Sequence, residues 1–401
     1  MSEQRPLTIL CIASYEKGQA FMQEVKRQGC RVFLLTADKL READWPRESL
    51  DDIFYMPDLY KRQDVIHGVS YLARSEIIDR IVPLDDYDLE VAAALREHLR
   101  VPGMGDTTTR YFRDKLAMRV RAQNHGILVP DFVHVLNYDR LRHYMDHVPA
   151  PWVLKPRSEA SAVGIKKIHN AQELWDALDL LGDRQSYYVL ERFVPGDVYH
   201  VDSIIFNREV LMAQAHQYSQ PPMSVVYEGG LFRSETVQRG SADEQALRSM
   251  NQTLVSTLGL VRGITHTEFI KGRDDGRFYF LETAARVGGA NISDLVQAET
   301  GISLWEEWAK IEIAGEDGEY HLPPMRQDYA GILISLARQE YPDTSAYHDP
   351  EIVWRLNKRH HAGLVVASQD SNRVHELLDQ YTARFYNDFF ATQPAPTKPT
   401  S

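Results

Sequence analysis

The sequence contains few cysteines and no long apolar segment. Only Cys11 and Cys30 occur among 401 residues, which excludes a disulfide framework and indicates two small buried side chains in a reducing compartment. The N-terminal sequence MSEQRP is followed by only a short apolar run. We therefore expect neither a signal peptide nor a transmembrane helix, and we expect a cytoplasmic location.

Positive charge and the common nucleotide-binding motifs are also scarce. Lys and Arg number 45 against 57 Asp and Glu, and this net charge of −12 gives no indication of a nucleic-acid partner. The first strand-to-helix turn has the single glycine Gly18 in place of G-x-G-x-x-G, and no P-loop sequence occurs. Hydrophobic residues make up 43% of the chain, enough for the cores of two or three globular domains.

The N-terminal part predicts a parallel sheet. Apolar runs at residues 7–13 and 31–36 flank a helical segment at residues 19–28, which is a β-α-β pattern. A further strand at residues 77–83 ends in Asp85-Asp86, and a helix follows at residues 88–100. Sheets of this class bind ligands at this edge, so Asp85 is a candidate substrate contact. For Asp86 we expect a plain helix-capping role.

A predicted hairpin at residues 264–292 carries most of the chemical information. Two alternating runs, residues 264–270 and 277–283, flank the turn Asp274-Asp275-Gly276. With the turn centred on Asp275, Glu268 lies opposite Glu282 with Cβ atoms roughly 5 Å apart, and Phe280 shares the face of Glu282. Facing carboxylates repel unless a cation lies between them, and their oxygens suit Mg²⁺. The alternatives are a surface hairpin with two solvated acids and a one-residue register slip.

The residues after this hairpin are candidate substrate contacts. Arg286 can hold a phosphate or carboxylate with two hydrogen bonds. Gly288 and Gly289 allow the backbone to approach a ligand closely.

Two further segments have the composition of a nucleotide site. Residues 151–167 predict a strand ending at Lys155, a small-residue loop and a second strand. The backbone N–H groups of this loop could fold over phosphates. The alternative is a flexible surface hairpin. The small residues of this loop are Ser158, Ser161 and Gly164. The strand at residues 187–191 runs from Glu191 into a Pro-Gly turn and Asp197, which fits a purine slot with a carboxylate on the ribose.

The rest of the chain predicts helices at residues 109–126, 174–181, 243–258, 293–314 and 373–387, and strands at 332–337, 352–356 and 364–367. The segment 217–240 predicts a long loop that either covers an acceptor pocket through Tyr227 or is a disordered insertion. The tail at residues 393–401 is rich in Pro and Thr and is expected to be disordered.

The ordered motifs resemble the ATP-grasp superfamily, and most of all its carboxylate–amine ligases, in particular the bacterial L-amino-acid ligases that make dipeptides. The motifs are Asp114-Lys115, Lys155-Pro156, Glu191-Arg192-Phe193-Val194-Pro195-Gly196-Asp197, His266-Thr267-Glu268 and Glu282-Thr283-Ala284-Ala285-Arg286. The resemblance implies an α/β and α+β chain. It has a Rossmann-like domain at 1–108, a two-subdomain ATP-grasp fold at 109–315 (109–190 and 191–315), a small C-terminal α+β lobe at 316–390 and a tail at 391–401.

The resemblance also implies a role for each candidate residue. Lys115 and Lys155 would contact the ATP phosphates beneath the loop 157–164. Glu191 and the backbone near Val194 would contact adenine, and Asp197 would contact the ribose. Glu268 and Glu282 would hold Mg²⁺, for which Mn²⁺ can substitute. Arg286 would stabilise the transferred phosphoryl group, and His266 would orient phosphate or serve a structural purpose.

One position departs from the family pattern. Ala284 stands where the family commonly has asparagine, so one oxygen ligand is absent and the number of metal ions stays open. The expected activity is an ATP-dependent, ADP-forming ligase that couples an amino acid or small carboxylic acid to an amine. The alternatives are a carboxylase that activates bicarbonate and a nucleotide-binding protein without turnover. The expected partners are small molecules, and homodimers are frequent in the family.

Overall fold

The N-terminal unit is built on a parallel four-stranded sheet. The computed structural model describes residues 5–159, 163–223, 225, 230–316 and 318–392. The strands β1 to β4 lie in the order β3-β2-β1-β4, and the helices α1 to α3 accompany them. Their bounds are β1 Thr8–Ala13, α1 Gln19–Arg27, β2 Arg31–Ala37, β3 Asp52–Met56, α2 Arg62–Leu72, β4 Arg80–Pro83 and α3 Leu89–Leu99. The β-α-β prediction is confirmed, although β4 begins three residues later than expected.

The next unit carries an antiparallel four-stranded sheet in the order β5-β8-β6-β7. Its elements are α4 Asp106–Arg110, α5 Lys115–Asn124, β5 Phe132–His134, α6 Tyr138–His147, β6 Trp152–Pro156, β7 Lys166–Ile168, α7 Ala171–Leu181 and β8 Tyr188–Arg192. The single helix predicted at 109–126 is wrong, because the Asp114 side chain accepts hydrogen bonds from the backbone N–H groups of Leu116 and Ala117 and so starts a new helix.

An eight-stranded sheet with only antiparallel pairings forms the rest of the fold. Its order is β13-β12-β9-β10-β11-β14-β16-β15, so the strands nearest the C-terminus extend this sheet through the β11–β14 pair. The strands are β9 Gly196–Phe206, β10 Glu209–Tyr218, β11 Phe232–Thr236, β12 Gly263–Gly272, β13 Phe278–Ala284, β14 Tyr329–Leu336, β15 Ile352–Arg355 and β16 His361–Ser368. The helices are α8 Ala242–Leu258, α9 Ile292–Thr300, α10 Leu304–Ala314 and α11 Ser371–Asp388.

Two predictions in this region are wrong in part. The helix expected at residues 293–314 is two helices, because Gly301 adopts φ 79° and ends α9. The segment expected to be a loop at 217–240 contains the end of β10 and all of β11. Tyr227 of that segment lies outside the described residues. Ser161 and residues 393–401 of the tail also lie outside them.

One continuous core joins the N-terminal sheet to the large sheet. Ile9, Phe21, Ile204 and Trp308 belong to the same buried cluster, and the Phe21 and Trp308 rings meet edge to face with centroids 5.4 Å apart. Large aromatic contacts of this kind contribute strongly to packing energy. This core fixes the carboxyl end of β4 relative to β12 and β13.

Cys11 is buried, and so is Cys30; neither forms a disulfide. Among the described helices, we found none that combines the length and the apolar character needed to cross a membrane.

Candidate active site

A cavity of about 360 Å³ lies between the β5–β8 sheet and the end of the large sheet formed by β9, β12 and β13. The candidate residues that line it are Lys115, Lys155, Glu191, Val194, His266, Glu268, Glu282, Arg286 and Gly289. The described candidates outside its lining are Asp85, Ser158, Gly164, Asp197 and Gly288. The cavity therefore brings together residues from both halves of the motif series.

The hairpin of β12 and β13 places Glu268 directly opposite Glu282, as predicted. The pairing depends on an irregularity in β13, and not on the regular alternation that the prediction assumed. Phe269 pairs with Phe280, so the register shifts by one residue and leaves Leu281 as a bulge. Phe280 points into the core with Phe269, whereas Leu281 and Glu282 both face the cavity. The expectation that Phe280 and Glu282 share a face is therefore wrong.

Both facing glutamates are held by neighbouring polar groups. Tyr218 donates from its hydroxyl to Glu268 Oε1 at 3.1 Å. Lys115 Nζ lies 2.6 Å from Glu282 Oε2. Burial would raise the pKa of Glu282, but the Lys115 ammonium outweighs burial and the pKa is lowered. Glu282 is therefore ionised at neutral pH.

Lys155 and Glu191 form a buried ionic cluster with Arg119. Lys155 Nζ lies 2.7 Å from Glu191 Oε2, and Arg119 Nε lies 3.0 Å from Glu191 Oε1. Burial lowers the pKa of Lys155 to about 8, with Glu191 acting in the opposite direction. The Glu191 carboxylate is thus engaged by two cations. Sequence reasoning missed Arg119, although its position one helical turn after Lys115 puts both on the same face of α5.

Lys115 connects this wall of the cavity to the small-residue loop. Its Nζ donates to the Glu159 carbonyl at 2.6 Å as well as contacting Glu282. Gly164 adopts φ 73°, and a Cβ there would lie 2.9 Å from Pro156 Cγ. A larger residue would therefore clash with the end of β6. Val163 lines the cavity beside this glycine, whereas Ser158 does not line it.

Arg286 is oriented by an acid from the N-terminal unit. Its Nε donates to Asp86 Oδ2 at 2.8 Å, and its Nη1 donates to the Val287 carbonyl at 2.8 Å. Asp85 is buried against Lys17, and its side chain accepts from the backbone N–H of Tyr87 at 3.2 Å. Asp85 therefore caps the turn, and the capping role predicted for Asp86 is wrong. Asp86, which lines the cavity, is the acid that reaches Arg286.

The fully buried carboxylate of Asp202 contacts both His266 and His200. Asp202 Oδ1 lies 2.9 Å from His266 Nδ1, and Asp202 Oδ2 lies 2.7 Å from His200 Nδ1. Burial would lower the pKa of His266, but the Asp202 carboxylate raises it to about 9. Burial lowers the pKa of His200 to about 3, so its ring is neutral. His266 Nε2 then faces Glu268 Oε1 at 3.7 Å.

Gly288, a predicted substrate contact, and Asp197, the predicted ribose contact, do not line the cavity. A Cβ at Gly288 would lie 3.0 Å from His266 Nδ1 and 3.1 Å from Asp202 Oδ1, so this glycine packs on the acid–histidine pair. Asp197 is largely exposed and lies 3.5 Å from Arg273. It faces solvent at the rim of the cavity, one residue from the lining residue Gly196.

The donor set suits a hard divalent cation. Two carboxylates face each other on paired strands, and a cation such as Mg²⁺ commonly takes one or two carboxylates and completes its shell with water and phosphate oxygens. Ala284 also lines the cavity and offers no side-chain oxygen. Of the positions in the expected metal motif, Glu268 and Glu282 therefore supply carboxylate oxygens and position 284 supplies none.

Comparison with known proteins identifies the domain. Residues 112–290 match the model of the ATP-grasp domain. An L-arginine-specific L-amino acid ligase of Bacillus subtilis is 22% identical over 241 residues, which cover 59% of this chain and 58% of that protein. An alanine–anticapsin ligase of Bacillus subtilis (strain 168) is 21% identical over 296 residues, covering 68% of this chain and 62% of that protein. The matched part of the chain thus spans about three fifths of the length of these two relatives.

The whole fold also has a counterpart among solved structures. An L-amino acid ligase from Bacillus licheniformis superposes with a TM-score of 0.75 and 19% identity over 97% of this chain and all of that one. At this identity the likeness establishes the fold. Residues 112–290 therefore form an ATP-grasp domain, carried by a chain whose sequence and fold are similar to those of the L-amino-acid ligases.

Proposed function

We propose that the protein is an ATP-dependent, ADP-forming ligase that joins an amino acid or another small carboxylic acid to an amine. The observation that carries the proposal is the pair of facing glutamates, Glu268 and Glu282, in a cavity that also holds Lys115, Lys155 and Arg286. This is the charge pattern that phosphoryl transfer requires, since that reaction needs alignment and charge neutralisation more than a protein nucleophile. The relatives named as amino-acid ligases support the same chemistry.

In the first step, a carboxylate oxygen of the acid attacks the γ-phosphorus of ATP, the bond to the β–γ bridging oxygen breaks, and ADP leaves. Lys155 and Lys115 would hold the phosphates. The apolar residues Met118, Val153 and Leu281 line the same cavity and would hold the purine. A magnesium ion on Glu268 and Glu282 would supply charge neutralisation for the phosphate oxygens.

In the second step, the amine nitrogen attacks the acyl carbon, the bond from that carbon to the phosphate oxygen breaks, and inorganic phosphate leaves while the nitrogen loses a proton. Arg286, oriented by Asp86, would stabilise the negative charge on the acyl phosphate. His266, held by Asp202, would orient the same phosphate. Exclusion of water matters here because hydrolysis of the acyl phosphate competes with amide formation.

The proposal is tested by trapping the acyl phosphate. The protein is incubated with ATP, Mg²⁺, hydroxylamine and each of the common L-amino acids in turn, and both hydroxamate and ADP are measured. We expect hydroxamate that depends on the added acid. Release of ADP that depends only on bicarbonate would identify a carboxylase, and ATP binding without ADP under every condition would identify a binding protein.

The site assignment is tested with Glu282→Gln. Loss of one carboxylate from the facing pair should lower turnover at least a hundredfold while leaving the melting temperature within a few degrees, because Glu282 lies at the cavity wall. The matched control is Glu376→Gln on α11, where the side chain is 60% exposed. Full activity in Glu282→Gln would contradict the metal and phosphate assignment.

A further inference from the structure

A second cavity, of about 340 Å³, lies away from the candidate active site. It is lined by residues of the N-terminal unit, by the ends of α8 and α10, and by the turn between β9 and β10. It shares no lining residue with the first cavity. Any ligand bound there would therefore be distinct from the nucleotide and from the proposed substrates.

The charged side chains around this cavity are mostly arginines. Arg96, Arg121, Arg208 and Arg262 line it, against the two carboxylates Glu312 and Glu316, so the formal charge of the lining is +2. Arginine binds phosphate and carboxylate groups with paired hydrogen bonds. The cavity thus has the charge to bind a small anion.

The two acids are occupied by one arginine. Arg262 Nε lies 3.3 Å from Glu312 Oε2 and its Nη1 lies 3.4 Å from Glu316 Oε1. The other oxygen of Glu312 accepts from Trp308 Nε1 at 3.2 Å. Both acids are therefore in contact with Arg262, and neither forms a salt bridge with the other three arginines within the described residues.

Arg96 is the buried cation of this set. It is 7% exposed, and its hydrogen-bond partners within the described residues are carbonyl oxygens. Ile81 accepts from Nε at 2.9 Å and from Nη2 at 2.5 Å, and Met104 accepts from Nη1 at 3.3 Å. Burial lowers the pKa of Arg96 to about 10, with Glu312 opposing the shift. A buried charge without a bonded counter-ion is costly, and an anion in the cavity would remove that cost.

Arg121 and Arg208 complete the positive wall. Arg121 donates from Nε to the Thr257 carbonyl at 3.0 Å, which leaves the ends of its guanidinium group available. Arg208 is exposed in the turn after β9, and no carboxylate bonds to it within the described ranges. Arg96, Arg121 and Arg208 thus line one cavity, and none of the three forms a salt bridge within the described residues.

We infer that this second cavity is a binding site for a small dianion of the phosphate-monoester or dicarboxylate class. Two negative charges would match the formal charge of the lining. The site joins the N-terminal unit, through Arg96, to the large sheet, through Arg208 and Arg262. It does not depend on the proposed ligase activity.

The test is isothermal titration of the full chain, saturated with Mg·ADP, with inorganic phosphate and separately with succinate. Wild type should bind one equivalent of at least one probe, with affinity that falls as salt is raised. The double variant Arg121→Gln/Arg208→Gln should bind roughly tenfold more weakly or worse, since charge-assisted hydrogen bonds are lost. The matched control Arg140→Gln/Arg142→Gln, on the exposed face of α6, should bind like wild type.

The inference would be overturned if the Arg121/Arg208 variant bound the probe as tightly as wild type does, or if both double variants bound it equally weakly. It would also be overturned if wild type bound neither probe. A preference for phosphate over succinate would assign the phosphate-monoester class, and the reverse preference would assign the dicarboxylate class. Anomalous scattering from selenate soaked into wild-type crystals gives a second readout without any substitution. A peak between Arg96 and Arg121 supports the site, and peaks confined to the first cavity contradict it.

Discussion

Replacing Glu191 with glutamine should destabilise the protein strongly. Glu191 is 2% exposed and Arg119 is fully buried, and within the described residues Glu191 is the only acid that forms a salt bridge with Arg119 or Lys155. Glutamine keeps the shape but removes the charge that two buried cations share. Breaking a buried ion pair typically costs about 3–5 kcal/mol, because a charge is left in low dielectric without compensation.

The effect is measured as the midpoint of thermal unfolding, followed by circular dichroism. A loss of this size corresponds to a downward shift on the order of 10 °C for a unit of a few hundred residues. The control is Asp139→Asn, whose side chain is 95% exposed beside Arg142 and should change stability by less than about 1 kcal/mol. The double variant Glu191→Gln/Arg119→Met should recover part of the loss, since it removes one unpaired cation. A Glu191→Gln midpoint no lower than that of Asp139→Asn would refute this reasoning.

Three further predictions concern pH and packing. Burial lowers the pKa of Lys155 to about 8, so the affinity for Mg·ATP measured by calorimetry should fall as pH rises above that value, and Lys155→Met should show no such fall. Burial raises the pKa of Asp88 to about 8, so the folded protein binds this proton more tightly than the unfolded chain does. The contribution of the protonated carboxyl group to the free energy of unfolding is therefore full below about pH 4 and is lost as pH rises to about 8. Asp88→Asn should therefore gain in melting temperature relative to wild type across that range, and parallel curves would contradict the assignment. Gly288→Ala should cost about 1–3 kcal/mol because its Cβ would lie 3.0 Å from His266 Nδ1, whereas Gly289→Ala, with nothing within 4 Å, should be nearly neutral.

The facing glutamates show which features of the site the local sequence pattern predicts and which it does not. Alternation and an Asp-Gly turn predicted that Glu268 pairs with Glu282, and the pair is present, but it depends on the register shift at Leu281. The same pattern placed Phe280 on the wrong face, because a bulge at Leu281 is set by packing on both sides of the sheet. A regular strand was the natural expectation, and only the core around Phe269 and Phe280 decides otherwise.

The roles of single acids were harder to predict than their presence. Asp85 and Asp86 stand together at the end of β4, and nothing in their spacing distinguishes the one that caps the turn from the one that reaches Arg286. That choice depends on a contact between residues 200 positions apart. Likewise, Glu191 on β8 contacts Arg119 on α5, 72 positions earlier in the chain, which no local pattern encodes.

By itself the sequence determined the β-α-β start of the N-terminal sheet, the hairpin around the Asp-Gly turn and several charged residues of the cavity such as Lys155 and Glu282, because periodicity and turn chemistry act over a few residues. Only the tertiary structure decided that the C-terminal strands continue the large sheet, that Asp202 supports His266, and that four arginines surround a second cavity. Those features depend on which distant surfaces pack together, and packing is settled by the summed burial of the whole chain.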